Sequence, residues 1–358
     1  MRKTSLFVVL LALSISSGFS QVRKYSNEFL AIGVGARALG MSNSYVASCN
    51  DVTSGYWNPG GLHHIKSDLQ VSLMHANYFA NLAKYDYVGI SKRFDSASVG
   101  AFSFVRFGVD DIPNTTDLID SQGNIDYDKI TTFSAADYAF IFSYARLLKV
   151  PGLKAGANFK IIRRKVGDFA GAWGFGLDAG AQYNVKDWRF GLMLRDVTST
   201  FNAWSFNLDE NMQQVFLQTG NEIPENSLEL TLPRMIMAAA RKWVFKEKFS
   251  VMGEMDLDWT FDGKRNVPIK TDFLSIDPHI GMEFGFKEIV FLRAGIGNIQ
   301  QELDFDGSTL TTLQPNMGLG LKIKQFSIDY ALTDIGDVSV ALYSHVFSLK
   351  LEINKKPH

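Results

Sequence analysis

The sequence has one cysteine, little proline and no long apolar run beyond its N-terminus. Its single cysteine, Cys49, has no partner in the chain, which excludes a disulfide-based fold. Only 9 of 358 residues are proline, whereas 46% are hydrophobic and 13% aromatic, which excludes a disordered chain. The net charge of −1 lacks the basic excess of nucleic-acid-binding proteins, so we expect no nucleic-acid partner. Without an apolar run of about 18 residues, helical membrane spans are excluded as well.

The N-terminus has the organisation of a secretory signal peptide. Arg2 and Lys3 precede an apolar stretch at residues 6–13, and small residues then lead to a cleavage site after Ser20. The order of basic, apolar and small residues is that of an export signal, and the apolar stretch is too short to cross a membrane. We therefore predict a cleaved signal peptide at 1–20 and export of the mature protein.

Long segments of alternating apolar and polar residues predict membrane-spanning β-strands. Between residues 248 and 261, aromatic and aliphatic residues occupy odd positions, while Glu254, Asp256 and Asp258 occupy even positions. A strand sorts such residues onto two faces, whereas a helix would scatter them. A length of about 13 residues exceeds that of most globular strands and suits a barrel strand with one lipid-facing and one lumen-facing side.

Fourteen such segments follow one another between residues 69 and 353, an even number as in single-chain bacterial barrels. Their connections alternate between short turns, such as Val185-Lys186, and long polar loops. The long loops are predicted at 108–133, 197–232, 262–275 and 300–314. A soluble β-sandwich would have shorter strands and no such alternation. The predicted fold class is therefore all-β, a transmembrane antiparallel up-and-down β-barrel in the outer membrane.

The segment before the first strand differs in kind, because residues 25–62 are rich in small residues and lack strand alternation. Since it precedes the barrel, it could lie in the lumen as a hatch. The predicted parts of the chain are a signal peptide at 1–20, a hatch at 21–65, a barrel at 66–353 and a short tail at 354–358.

The hatch and the C-terminal strands resemble the PorV/PorQ family of Bacteroidota outer-membrane proteins. The resemblance rests on FLAIGVGARALGM at 29–41, NDVT at 50–53 and WNPGGL at 57–62, and on the segments 330–337 and 343–349. The turn beginning at Asn58 is also similar to that of the FadL long-chain fatty-acid transporters, a broader relative. The hatch motif comprises Gly33, Gly35, Arg37, Gly40, Asn50, Asp51, Trp57, Asn58, Pro59, Gly60, Gly61 and Leu62.

The resemblance implies a fourteen-stranded FadL-like barrel with an internal hatch, and a role in type IX protein secretion. PorV-type barrels bind the C-terminal signal of cargo that emerges from a large translocon barrel. The implied partners are outer-membrane lipid, the translocon barrel and the C-terminal signal domains of cargo. The alternative is a FadL-like transporter that carries a hydrophobic ligand across the outer membrane.

No pattern in the sequence indicates an enzyme, a cofactor or a metal site. Gly33 and Gly35 do not follow a strand within a βαβ unit, as a nucleotide-binding loop would require. His63 and His64 lack a third ligand at suitable spacing. The acidic residues at 117–128 fail the EF-hand order. Because no nucleophile elbow is present either, we predict no catalytic activity.

Two sets of residues carry the remaining functional hypotheses. The predicted loop 197–232 is apolar enough to need a partner, a ligand or a membrane surface to cover it. Its candidate contact residues are Phe201, Trp204, Phe206, Phe216 and Leu217. The predicted lumen charges are Lys160, Arg164, Glu254, Asp256 and Asp258, which could hold the hatch or line a ligand path. An apolar pocket beneath the long loops would favour transport, and a packed polar lumen would exclude it.

Overall fold

The computed structural model describes residues 26–118, 124–303, 307–335 and 343–354. The predicted signal peptide, residues 21–25 of the predicted hatch and residues 355–358 of the predicted tail lie outside the described residues, as do 119–123, 304–306 and 336–342.

Within the described residues the chain is built almost entirely of β-strands. These are β1 (Leu69–Tyr78), β2 (Ala83–Arg93), β3 (Ser98–Asn114), β4 (Thr131–Leu147), β5 (Leu153–Val166), β6 (Ala170–Val185), β7 (Trp188–Arg195), β8 (Thr200–Phe206), β9 (Ser227–Thr231), β10 (Arg234–Phe245), β11 (Phe249–Thr260), β12 (Ile269–Lys270), β13 (Ser275–Phe286), β14 (Val290–Leu303), β15 (Thr309–Ile323), β16 (Phe326–Thr333) and β17 (Ser344–Ile353).

The helices are short. The α-helices are α1 (Ala36–Leu39), α2 (Ser54–Trp57) and α3 (Glu210–Gln218), and 3-10 turns lie at Glu28–Leu30, Pro59–His64 and Tyr127–Lys129. No helix in the described parts of the chain has the length and apolar character needed to cross a membrane.

The strands close into one antiparallel barrel. β1 pairs with β2 on one side and with β17 on the other, where Leu69 lies opposite Ile353. Two barrel strands are interrupted. β6 pairs with both β7 and β8, while β10 pairs with β7 and β9 pairs with β8. β7 and β8 therefore form one interrupted barrel strand, and β9 and β10 form another. With the two-residue β12 set aside, the described residues form fourteen barrel strands, which confirms the predicted fold class.

The two faces of each strand differ as the alternation predicts. On β11, Glu254 and Asp256 are almost fully buried, whereas Met255 between them is exposed. Residues with exposed side chains are largely aliphatic or aromatic, because they face lipid rather than water. The polar residues point into the lumen, where they can be satisfied by one another and by the segment that precedes β1.

The prediction of one long loop at 197–232 is wrong. This stretch contains β8, α3 and β9, so the wall of the barrel extends well beyond its predicted end. Phe201, Trp204 and Phe206 lie on β8 rather than in a loop. Other predicted loops are shorter than expected for the same reason, since β3 continues to Asn114 and β4 starts at Thr131.

Candidate functional site in the barrel lumen

Residues 26–65, here called the lumenal segment, lie inside the barrel. Val34, Met41 and Val46 have no exposed surface. The wall approaches the segment closely at glycines: a Cβ on Gly295 would lie 2.3 Å from the backbone carbon of Met41, and one on Gly191 would lie 2.7 Å from the Val46 carbonyl oxygen. Glycine is therefore required at these wall positions because a Cβ would collide with the backbone of the lumenal segment, and not because the chain turns there.

A chain of ion pairs ties α1 to the wall. The Arg37 guanidinium donates two hydrogen bonds to the Glu283 carboxylate, each of 2.8 Å. Glu283 also accepts from Arg293 Nε at 2.7 Å, and Arg293 donates to Asp329 at 2.7 Å. A third Arg37 nitrogen bonds Asn50. Burial removes water from these charged groups, so each of them needs its ion-pair partners to compensate for the lost hydration.

A second ion pair joins the lumenal segment to β17. Lys350 Nζ lies 2.8 Å from Asp51 Oδ2. Burial by itself would raise the pKa of Asp51, but the Lys350 ammonium and the hydrogen bonds to the carboxylate outweigh it and lower the pKa to about 2. Asp51 is therefore ionised over the whole physiological range.

Two predicted lumen charges hold a turn of the lumenal segment by its backbone. Asp256 Oδ2 accepts from the amides of residues 45 and 46 at 3.0 Å each. Glu254 Oε1 accepts from the amides of residues 47 and 48 at 2.7 and 3.2 Å. Four consecutive buried amides thus find acceptors on a single strand, which satisfies groups that no regular structure would otherwise pair.

The residues of the predicted hatch motif all lie in the lumenal segment, where several hold its internal fold. Trp57 Nε1 donates to the Val34 carbonyl at 2.8 Å. Asn58 Nδ2 donates to the carbonyls of Val46 and Ala181, and Asn58 Oδ1 accepts from Gly60 N. The 3-10 turn that starts at Pro59 packs against β5 and β6, and a Cβ on Gly61 would meet the Cys49 carbonyl oxygen at 2.6 Å.

The other predicted lumen charges pair with the wall. Lys160 is buried between Asp178 and Asp196, at 2.7 and 2.6 Å. Arg164 bonds Asp137 at 2.8 Å and Glu229 at 3.3 Å. Asp258 lies 3.4 Å from Arg234 Nε.

The predicted contact residues do not form one surface. Phe201 faces outward, with its ring centroid 5.9 Å from that of Phe175. Trp204 stacks on Phe206 and on the Arg164 guanidinium, so it belongs to the lumen. Phe216 and Leu217 lie on α3, and Leu217 is 64% exposed.

A cavity of about 540 Å³ lies between the lumenal segment and the second interrupted strand. Every residue from Ser227 to Arg234 borders it, together with Leu30, Ala31 and Ile141. Residues from both faces of this stretch thus border the cavity, which is expected where a cavity lies along the unpaired edge of a strand. Among the described residues β9 pairs only with β8, so its other edge is free and faces the segment after β11. This site was not predicted, although Pro233 and the alternating leucines at 228, 230 and 232 are a usable sequence signal for an edge strand.

Arg195 contributes an unpaired positive charge to this cavity. It is 8% exposed, donates from Nη1 to the Leu30 carbonyl at 2.9 Å, and lies 4.7 Å from the centroid of the Tyr56 ring. Its Nε and Nη2 have no hydrogen-bond partner within the described part of the chain. Arg195 also borders a second cavity of about 880 Å³, whose lining includes Asp256, Asp258 and His279. The two cavities share Ala31, Arg195 and Arg234, and both are lined by apolar and charged side chains. The lumen is therefore neither wholly apolar nor fully packed.

Within the described residues, no three His, Cys, Asp or Glu side chains gather closely enough to hold a metal ion. His64 Nε2 instead lies 3.1 Å from Lys154 Nζ. Burial, together with Lys154 and Arg189, lowers the pKa of His64 to about 3, so this imidazole is neutral at physiological pH.

Comparisons with known proteins identify the fold. No family model and no curated protein matches the sequence. Solved structures do match. The monoaromatic hydrocarbon channel CymD has 13% identity and a TM-score of 0.54, covering 90% of this chain and 98% of its own. The toluene transporter TodX of P. putida has 11% identity and a TM-score of 0.54, with 90% and 99% covered. A FadL homologue of Pseudomonas aeruginosa has 11% identity and a TM-score of 0.50, with 88% and 97% covered.

The chain has a FadL-like outer-membrane barrel fold. Sequence identities this low show that the folds are alike and do not show a shared activity. None of these matches supports the PorV/PorQ family in particular.

Proposed function

We propose that the protein is an integral outer-membrane barrel that carries a hydrophobic small molecule inward, and that it is not an enzyme. The observation that carries the proposal is the cavity at the free edge of β9, beneath the extracellular connections. Its volume of about 540 Å³ lies within the range of small-molecule sites. The names of CymD and TodX, a hydrocarbon channel and a toluene transporter, are consistent with such a ligand.

The border of the cavity suits a ligand that arrives from an apolar surface. Leu228, Leu230 and Leu232 are each more than 40% exposed and follow the free edge of β9. Leu228 and Leu230 lie opposite Ala203 and Phe201, so they face outward toward lipid, and an apolar molecule dissolved in the membrane can reach the cavity along them. Inside, Leu30, Ala31 and Ile141 supply apolar lining beside charged side chains that include Lys160, Asp178 and Arg195.

The path inward is closed by the lumenal segment. Its backbone is held by Glu254 and Asp256 on β11, and its side chains by Glu283 and Lys350. A ligand in the cavity therefore reaches the periplasm only when some of these bonds open. Transport on this proposal is gated by the segment rather than by the width of the barrel.

The test is uptake of carbon-14 toluene and of a labelled long-chain alkane by cells that express the protein in a host without such a transporter. Ala31 borders the cavity, so Ala31→Trp should fill it and lower uptake at least about tenfold. The matched control is Ala294→Trp, at an exposed position of β14 that borders neither cavity, which should leave uptake unchanged. Equal uptake by the A31W variant and the wild type, or no uptake above the empty host, would refute the proposal.

A role in type IX secretion is the second candidate, and exposed apolar residues at the extracellular end favour it. Leu217 on α3 is 64% exposed, and Tyr127 and Phe273 are each 71% exposed. Purification of the tagged protein from its own host in mild detergent, followed by mass spectrometry, tests this role. Stoichiometric recovery of a translocon barrel, or of cargo with a C-terminal signal domain, would support secretion, and recovery of the barrel alone would count against it.

A further inference from the structure

Charge is distributed unequally between the two ends of the barrel. One end of the barrel carries six short turns. With two residues added on each side, these turns are 92–99, 146–154, 184–189, 244–250, 285–291 and 322–327. These stretches contain 12 Lys or Arg and 4 Asp or Glu. The described residues of the seven connections at the opposite end, taken with the same margins, contain 6 Lys or Arg and 12 Asp or Glu. In a chain of net charge −1, one rim is thus strongly basic.

Several of these basic residues have no acidic partner. Lys186, Lys246, Lys248, Lys287 and Lys324 are exposed, and none lies within 4.0 Å of a carboxylate in the described parts of the chain.

The acidic residues of two of these turns are already engaged by the strands. Asp187 lies 4.0 Å from Arg241, and Glu288 lies 2.6 Å from Lys242. The unpaired lysines consequently present their charge outward.

The basic rim lies at the level of an aromatic belt. Trp188, Trp243 and Phe286 face outward at the same ends of their strands. Arg241 lies 5.3 Å from the ring of Trp188 and 5.2 Å from that of Trp243, and Lys287 Nζ lies 5.3 Å from the ring of Phe286. Aromatic side chains of this kind sit at the level of lipid headgroups. The cations next to them are therefore at the level of the headgroup phosphates.

We propose that the short-turn rim binds anionic phospholipids of the periplasmic leaflet, through the Lys and Arg residues of its turns. Short turns face the periplasm in barrels of this type. Basic clusters at a membrane surface attract anionic headgroups. The cations occur in or beside all six turns, so they surround the barrel instead of marking one sector. A ring of charge matches the lipid that surrounds a barrel, whereas a docked protein would need one concentrated face.

The test uses the full chain in nanodiscs of phosphatidylcholine with increasing phosphatidylglycerol whose acyl chains are brominated. Bromine quenches tryptophan fluorescence on contact, and all proteins in the test carry Trp173→Phe and Trp259→Phe, so that Trp188 and Trp243 are the lipid-facing tryptophans that report on the rim. We expect phosphatidylglycerol to be favoured over phosphatidylcholine by about fivefold, as expected for one added basic contact per lipid. The preference should weaken as salt screens the charges.

Matched variants separate the rim from net charge. One carries Lys186→Gln, Lys246→Gln, Lys248→Gln and Lys324→Gln, and the control carries Lys129→Gln, Lys165→Gln, Lys264→Gln and Lys270→Gln at the opposite end. The first should lose the preference and the control should keep it. A wild type without preference, or equal preference in both variants, would overturn the proposal. So would a wild type that ignores lipid charge but retains an acidic periplasmic protein.

Discussion

Glu283 should control how often the lumenal segment opens, and Cys49 is a native reporter of that opening. Glu283 neutralises Arg37 of the segment and Arg293 of the wall. Replacing it with glutamine removes the negative charge and leaves two buried guanidinium groups without it. Removing one partner of a buried pair costs about 3–5 kcal/mol. Because Arg37 escapes this cost when the segment leaves the wall, Glu283→Gln favours the open state.

The assay is maleimide labelling of the folded protein in detergent. Cys49 is the only cysteine and has no exposed surface. Burial raises the pKa of its thiol, which slows labelling further in the closed state. If opening and closing are fast, the labelling rate is proportional to the population of the open state. A shift of about 3 kcal/mol therefore increases the rate on the order of 10²-fold.

The control is Glu288→Gln in a short turn of the wall. Glu288 is 60% exposed and pairs with Lys242, a surface contact worth about 0–1 kcal/mol. Its labelling rate should stay within about fivefold of the wild type. The characteristic mobility of the folded barrel in unheated gel samples would check that the wall is intact. A folded E283Q variant that labels at the wild-type rate would refute the idea that this network holds the segment.

Two further perturbations test the same segment. Asp51→Asn should destabilise the protein by about 2 kcal/mol at neutral pH, as the lowered pKa implies. Since a lowered carboxyl pKa stabilises above the unfolded value and the effect is lost as pH falls, the difference in thermal midpoint from wild type should shrink between pH 4 and the folded pKa of about 2. Gly33→Ala should destabilise far more than Gly220→Ala: both glycines have positive φ, but a Cβ on Gly33 would lie 2.6 Å from Asn43 Oδ1, whereas Gly220 has open space. Equal thermal midpoints for the two variants would contradict this account.

The alternation of residues was enough to predict the barrel but not its interrupted walls. β11 is regular because its outward side is apolar and its inward side is charged. β8 is not: Trp204 and Phe206 face the lumen, where Trp204 covers Arg164, while Phe201 faces outward. With apolar residues on both sides, the period of two disappears from the sequence. That is why this strand was predicted as a loop.

The contacts that hold the lumenal segment could not be predicted from the local sequence pattern either. The pairing of Glu283 with Arg37 and of Lys350 with Asp51 joins residues far apart in the chain. Sequence periodicity identifies which residues face inward, so the lumen charges could be predicted. Periodicity does not specify how an irregular segment is placed against distant strands, and this placement determines which charged residues form pairs.

The lumenal segment bonds to both strands that close the barrel. The amide of residue 52 donates to Gln70 on β1 at 2.7 Å. On β17, Ser348 accepts from the amide of residue 36 at 2.8 Å, and Lys350 pairs with Asp51. A slip of one residue between β1 and β17 would turn the contacting side chains of one of the two strands toward lipid. Only the observed register of the seam therefore lets the segment bond both strands at once, so its contacts stabilise this closure of the barrel over a slipped one.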